Sequence, residues 1–76
     1  MPFTGEFKFE IVKHLATLSS EQSGWSKELN LVSYNGANPK YDIRTWDSEH
    51  KKMGKGITLS DEEIALLKEA ILELDI

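Results

Sequence analysis

Residues 57–74 read Ile-Thr-Leu-Ser-Asp-Glu-Glu-Ile-Ala-Leu-Leu-Lys-Glu-Ala-Ile-Leu-Glu-Leu. Ile57 and Leu59 alternate as strand residues do, and then the period changes. Ser60 has the hydroxyl of an N-cap, and Glu63, three residues on, completes a capping box. Asp61 and Glu62 suit the positive end of a helix dipole. Beyond them Ile64, Leu67, Ala70, Ile71 and Leu74 recur at spacings of three and four, with Leu66 widening the stripe. The stretch predicts a strand ending at Leu59 and a helix of about fifteen residues, roughly 22 Å long. Its apolar stripe is long for a helix that serves only a sheet of short strands. A second copy of the same helix is the simplest further partner.

Upstream of this junction the chain reads as strands and turns. The last strand covers about 55–59, and Gly54 and Gly56 bracket Lys55, which suggests a bulge or a close backbone approach. A third strand runs from Lys40 to Trp46. Tyr41, Ile43 and Thr45 share one face of it, and Lys40, Asp42, Arg44 and Trp46 share the other. Pro39 cannot donate to a ladder and belongs at that strand's edge. Asn35-Gly36 is a hairpin signal, set in the longer connection Asn-Gly-Ala-Asn-Pro. The second strand spans Trp25 to Tyr34, with Leu29 and Leu31 toward the core and Glu28, Asn30 and Val32 facing away. In the first strand Phe7, Phe9, Ile11, Lys13 and Leu15 share one parity against Lys8, Glu10, Val12 and His14. Residues 1–6 form a loose tip around Pro2 and Gly5, and residues 19–24 a polar turn. The fold class is α+β: a four-stranded antiparallel sheet followed by a C-terminal helix (ββββα), one domain over residues 1–76, dimerising through the helices.

Composition narrows the function. The chain has 76 residues and no cysteine, so disulfides and thiolate metal sites are excluded and an intracellular setting is expected. A domain this small draws only about 3–5 kcal/mol from its core, and oligomerisation is the staple left open to it. His14 and His50 lie far apart and lack ligand spacing, so neither a metal nor a cofactor is expected. No stretch is long and apolar enough for a membrane span, and the N-terminus lacks the order of a signal peptide. No nucleophile elbow or paired acid and base stands out, and Gly54-Lys55-Gly56 is too short for a phosphate loop. The acids at 61–63 are explained by capping. The expectation is a protein that is not an enzyme and has no small-molecule substrate.

The net charge is −4, but it is unevenly spread. Residues 61–76 carry −5 and residues 1–60 carry +1. An acidic whole can still bind phosphates through a local basic groove. Lys40, Arg44 and Trp46 on one strand face offer cations for phosphates and an indole for base stacking. Trp25 with Lys27 repeats the pattern on the second strand, and Tyr34 ends it. The competing reading makes Trp25 and Trp46 half-buried sheet aromatics and the lysines edge charges. Lys51, Lys52 and Lys55 form a basic cluster that is either a solvated loop or an extension of such a groove. His14 receives no role.

Tyr41-Asp42-Ile43-Arg44-Thr45-Trp46, followed by Gly54-Lys55-Gly56-Ile57-Thr58-Leu59-Ser60 and the helix, resembles the C-terminal domain of the transcriptional coactivator p15, also called positive cofactor four. The whole chain is similar to its compact bacterial, YdbC-like branch. The likeness is tight over residues 41–46 and 54–74, looser over 25–40 and weakest over the first strand. It implies a homodimer joined through the helices, with Ile64, Leu67, Ile71 and Leu74 at the interface. It also implies binding of single-stranded DNA with little sequence preference. Under it Arg44 matches the arginine of an Asp-Ile-Arg segment, Trp46 falls at or one place from the stacking aromatic beyond it, and Lys55 matches the lysine of a Lys-Gly-Ile segment. Tyr34 matches the aromatic before the turn glycine, and Trp25 and Lys27 fall where basic residues stand early in the second strand. Lys40 and Lys52 complete the candidate nucleic-acid contacts. Single-stranded RNA stays open, since nothing in the sequence would reject a 2′-hydroxyl. A cytoplasmic, nucleoid-associated protein is expected. The rival reading is a protein-interaction module that uses the acidic helix or an open sheet edge.

Overall fold

The computed structural model describes residues 8–76, so the N-terminal tip and Phe7 lie outside the described residues. Four strands, β1 (Phe9–Ser20), β2 (Ser26–Tyr34), β3 (Lys40–Trp46) and β4 (Met53–Leu59), precede one helix, α1 (Asp61–Leu72). The sheet is antiparallel in the order β1-β2-β3-β4. This is the expected ββββα fold, and each strand neighbours the next because every connection is a short turn.

Local chemistry sets the turns. Asn35 and Gly36 both take left-handed backbone (φ 53° and 78°), and the Ala37 N–H closes on the Tyr34 carbonyl at 2.9 Å. That geometry matches the right-handed twist of the two strands it joins. Ser60 accepts from the Glu63 N–H at 3.1 Å while the Glu63 carboxylate accepts from the Ser60 N–H at 2.8 Å, so the capping box is complete. The helix stops at Leu72, about a turn short of the expected end. No basic residue stands in its last turn to favour the carbonyl end, and Glu73 and Asp75 oppose it. β4 begins two residues earlier than expected, with a bulge opposite Arg44 and Trp46. Gly56 is required there, because a Cβ would run into the Cβ of Arg44 and the Ile43 carbonyl.

β1 departs most from its reading. Its pairing with β2 shifts register between Ile11 and Lys13, between His14 and Ala16, and between Thr17 and Ser19. Each bulge inserts one residue and flips the parity of the strand beyond it. Val12, Leu15 and Leu18 fall at these shifts, and all three are exposed. The strict alternation expected through Leu15 therefore fails after Ile11. Phe9, Ile11, His14 and Thr17 pair with Tyr34, Val32, Asn30 and Glu28, whereas Lys13 and Ala16 pair with Leu31 and Leu29 on the other face.

The sheet is strongly curved. Phe9 pairs with Tyr34 at one end of β2, and Trp46 pairs with Ser26 at the other. A flat strand would hold those positions ~26 Å apart, yet the two rings lie 5.1 Å apart, centroid to centroid. The inner face of the sheet thus closes on itself, with Val32, Asn30, Asp42 and Trp46 buried inside it. The outer face carries α1, and Leu29 and Ile43 meet Ile64, Leu67, Ile71 and Leu72 along an apolar groove of about 380 Å³. The sequence places Leu29 and Leu31 toward the core and Glu28, Asn30 and Val32 away from it. In the structure the more deeply buried set is the second one. The two sets do share faces as expected, but curvature makes the polar face the inside.

Candidate nucleic-acid interface

Asp42 lies at the centre of β3 with 0% exposure. Arg44, two residues on and on the same face, donates from Nε to Asp42 Oδ1 (2.6 Å) and from Nη2 to Oδ2 (2.8 Å). Tyr34 Oη–H (2.8 Å) and Thr58 Oγ1–H (2.9 Å) also donate to Oδ2. A planar guanidinium and a carboxylate so matched make a fork. The Asp42 bond raises the Arg44 pKa, against desolvation. Burial and the bond to Asp42 push the Tyr34 phenol up to about 12, so it stays a donor. The Arg44 guanidinium also lies 5.7 Å from the Tyr34 ring centroid, in cation–π range. Arg44, read as a phosphate contact, is thus committed to a buried acid and only 15% exposed at its side chain. Here it positions Tyr34.

Trp46 differs most from its expected place. It is 0% exposed, with Phe9 against it and the His50 ring 5.9 Å away, so no face of its indole is open to a base. Trp46 is thus a sheet aromatic buried more fully than the half-buried reading expects, and the cause is the curvature that brings Phe9 across. Trp25 and Lys27 also fall elsewhere. Lys27 pairs with Thr45, and Trp25 approaches Gly54 beside Thr45, which places both on the outer face rather than beside Arg44. Trp25 is half-buried there and Lys27 exposed. Tyr34 and Lys40 do share the inner parity with Arg44, Tyr34 half-buried and Lys40 exposed. Lys52 lies in the loop after β3 and Lys55 at the β4 bulge, both exposed. None of Lys27, Lys40, Lys52 and Lys55 forms an ion pair among the described residues, whereas Lys51 approaches Glu49 at 3.4 Å.

Residues given no role by the sequence form a second polar cluster. Glu28 is buried on β2 and accepts from Ser26 Oγ–H (2.6 Å), Asn30 Nδ2–H (3.0 Å) and His50 Nε2–H (2.8 Å). His14 Nδ1 lies 3.5 Å from the same carboxylate and donates to Asn30 Oδ1 at 2.7 Å. Thr17 Oγ1–H donates in turn to His14 Nε2 at 3.0 Å. Because Asn30 Oδ1 only accepts, it fixes the proton of the neutral His14 ring on Nδ1. His50 reaches Glu28 from left-handed backbone (φ 59°) in a tight loop. There Asp47 Oδ1 accepts from the Lys51 and Lys52 N–H groups at 2.7 and 3.0 Å, and these bonds lower the Asp47 pKa. The two histidines are far apart in the chain, but strand pairing and the 47–52 loop bring both onto one glutamate. The only trace in the sequence is that Glu28 and Asn30 share a parity with apolar Val32.

Burial works to raise the Glu28 pKa, but its hydrogen bonds outweigh it and the net direction is below the ordinary carboxyl value of 4.5. The unfolded chain therefore takes up this proton first. Glu28 contributes stability above about pH 4.5 that is lost as pH falls through its lower folded value. Urea unfolding of Glu28→Gln should show a flatter acid limb than wild type below that pH. An identical limb would mean that Glu28 is not ionised in the fold.

The family model for Transcriptional Coactivator p15 (PC4) matches residues 21–70. An uncharacterized protein of Treponema pallidum (strain Nichols) is 44% identical over 66 residues, which cover 87% of this chain and 78% of that protein.

Proposed function

The chain belongs to the transcriptional coactivator p15 (PC4) family, and from that premise we propose that it binds single-stranded DNA without sequence preference, as a homodimer, in transcription or DNA maintenance on the nucleoid. The observation that carries this reading is electrostatic. Both buried acids of the inner face, Glu28 and Asp42, are closed off by internal donors, while Lys40, Lys52 and Lys55 stand exposed with no ion pair among the described residues. A strand reaching Lys40 on the inner face, or the exposed Lys52 and Lys55 around it, meets cations that no internal carboxylate has claimed among the described residues. With Trp46 enclosed, stacking falls to Tyr34, braced by Arg44, and on the outer face to Trp25. Each stacked base contributes about 1–3 kcal/mol. The dimer is supported by α1, none of whose residues is buried in the single chain. This reading assigns no catalysis and needs no cofactor.

The test is the anisotropy of a labelled oligo-dT of roughly 20 nucleotides, against a matched duplex, at two salt concentrations. Binding should weaken with salt and be weaker for duplex. Lys40→Ala, Lys52→Ala and Lys55→Ala should each lower the log–log salt slope by about 0.7. An oligo-rU of the same length separates DNA from RNA preference. No binding at low salt to any of these would favour a protein-interaction module, leaving the family relation as one of fold.

A further inference from the structure

A depression of about 400 Å³ opens between β1 and the 47–52 loop, lined by Ile11, His14, Thr17, Glu28 and His50. It is large enough for one nucleotide unit. We propose that this depression is a proton-linked phosphodiester subsite, in which His14 and His50 take up protons as a phosphate of the bound strand enters. The proposal rests on the single-strand reading above and adds to it the group contacted and the condition that admits it.

The hydrogen bonds supply the argument. His14 holds Nδ1–H on Asn30, and His50 holds Nε2–H on Glu28, so each ring is anchored by one nitrogen on the inner face. The second nitrogen of each is the one left to change. His14 Nε2, when neutral, is an acceptor that consumes the Thr17 hydroxyl proton. Once protonated it becomes a donor, and Thr17 no longer needs to donate inward. His50 Nδ1 has no hydrogen-bond partner among the described residues and becomes a second donor in the same way.

Charge fixes the direction. With both rings neutral, the cluster carries the single negative charge of Glu28 and repels a phosphate. With both protonated, it carries a net positive charge. The surrounding groups do not supply that change. Arg44, the cross-strand neighbour of Glu28 on β3, is committed to Asp42. In the loop Asp47 is capped by backbone N–H groups and Lys51 lies against Glu49, while Lys52 stands exposed with no ion pair among the described residues. On β1, Lys13 pairs with Leu31 on the opposite face. The two rings are therefore the groups left to supply it, so a strand bound here is held more tightly at about pH 6 than at about pH 8. The left-handed backbone at His50, uncommon for a residue with a Cβ, is the local cost of bringing the second ring over Glu28.

The experiment compares oligo-dT binding by anisotropy at about pH 8 and about pH 6, at one ionic strength, for wild type, His14→Gln, His50→Gln and the double variant. Glutamine can still donate to Asn30 or Glu28 without titrating, and circular dichroism checks each fold. Wild type should bind roughly ten-fold or more tightly at the lower pH, each single variant should lose part of that ratio, and the double variant should fall within about two-fold of unity. Imidazole Cε1–H resonances of wild type should move toward their protonated positions when oligo-dT is added at constant pH. Binding that is insensitive to pH, or a pH ratio that survives in the folded double variant or in folded single variants alike, would overturn the subsite while leaving single-strand binding in place. Absence of binding at both pH values would overturn both readings.

Discussion

Ile71→Glu is expected to remove the proposed dimer. Ile71 lines the groove between α1 and the outer sheet face with Leu18, Leu29, Ile43 and Leu67, yet it is 53% exposed in the single chain, and Leu72 beside it is 73% exposed. A glutamate at so open a position on a monomer would change stability by no more than about 0.5 kcal/mol. In a helix-to-helix dimer the same change places an unpaired carboxylate from each copy inside the interface, at about 3–5 kcal/mol per broken or unpaired buried charge. The two cases therefore separate widely. Sedimentation equilibrium should give twice the chain mass for wild type, and a single-chain mass or an unfolded protein for the variant. Leu74→Glu should act more weakly, because Leu74 lies beyond the end of α1 and does not line the groove. A folded Ile71→Glu protein with wild-type mass and wild-type oligonucleotide binding would defeat the proposed interface.

Asp42→Asn should be nearly as damaging, for a different reason. Four donors from Tyr34, Arg44 and Thr58 converge on this fully buried carboxylate. The amide keeps one oxygen but turns an N–H toward groups that are themselves donors, and it leaves the Arg44 charge without a counter-ion. Breaking one half of such a pair costs about 3–5 kcal/mol, close to the whole stability that a core of this size provides. Most of the variant should be unfolded at room temperature by circular dichroism. Adding Arg44→Met should recover part of the loss, since removing both partners is cheaper than removing one. A loss below about 1 kcal/mol in urea unfolding, or no recovery in the double variant, would mean that Asp42 and Arg44 do not act as a pair.

The buried and the exposed residues of the candidate site also differ in what they contribute. Asp42, Arg44 and Tyr34 hold the inner face in one geometry, so their loss should reach binding through unfolding. The exposed lysines contribute little to the fold, so their loss should reach binding through salt dependence alone. The sequence joins these two kinds of residue in one candidate site, since a cation two positions from an aromatic looks alike whether it faces a phosphate or a carboxylate. Arg44 is the clearest example, because its partner Asp42 stands two positions before it on the same face and is legible as such.

The chain order by itself determined the elements. Ser60 and Glu63 set the start of the helix, Asn35-Gly36 set the hairpin, and the parity of residues 40–46 put Lys40, Asp42, Arg44 and Trp46 on one side of a strand. These are local facts, fixed by hydrogen bonds and backbone angles within a few residues of each other. Which side becomes the interior is not local. It depends on three bulges that bend β1 and on a curvature that brings Phe9 onto Trp46 from the far end of β2. That closure buried Trp46, turned Glu28 and Asp42 into acids that must be satisfied from within, and brought His14 and His50 together over one carboxylate. Alternation records which residues share a face, and only the bending of the whole sheet decides which face is enclosed.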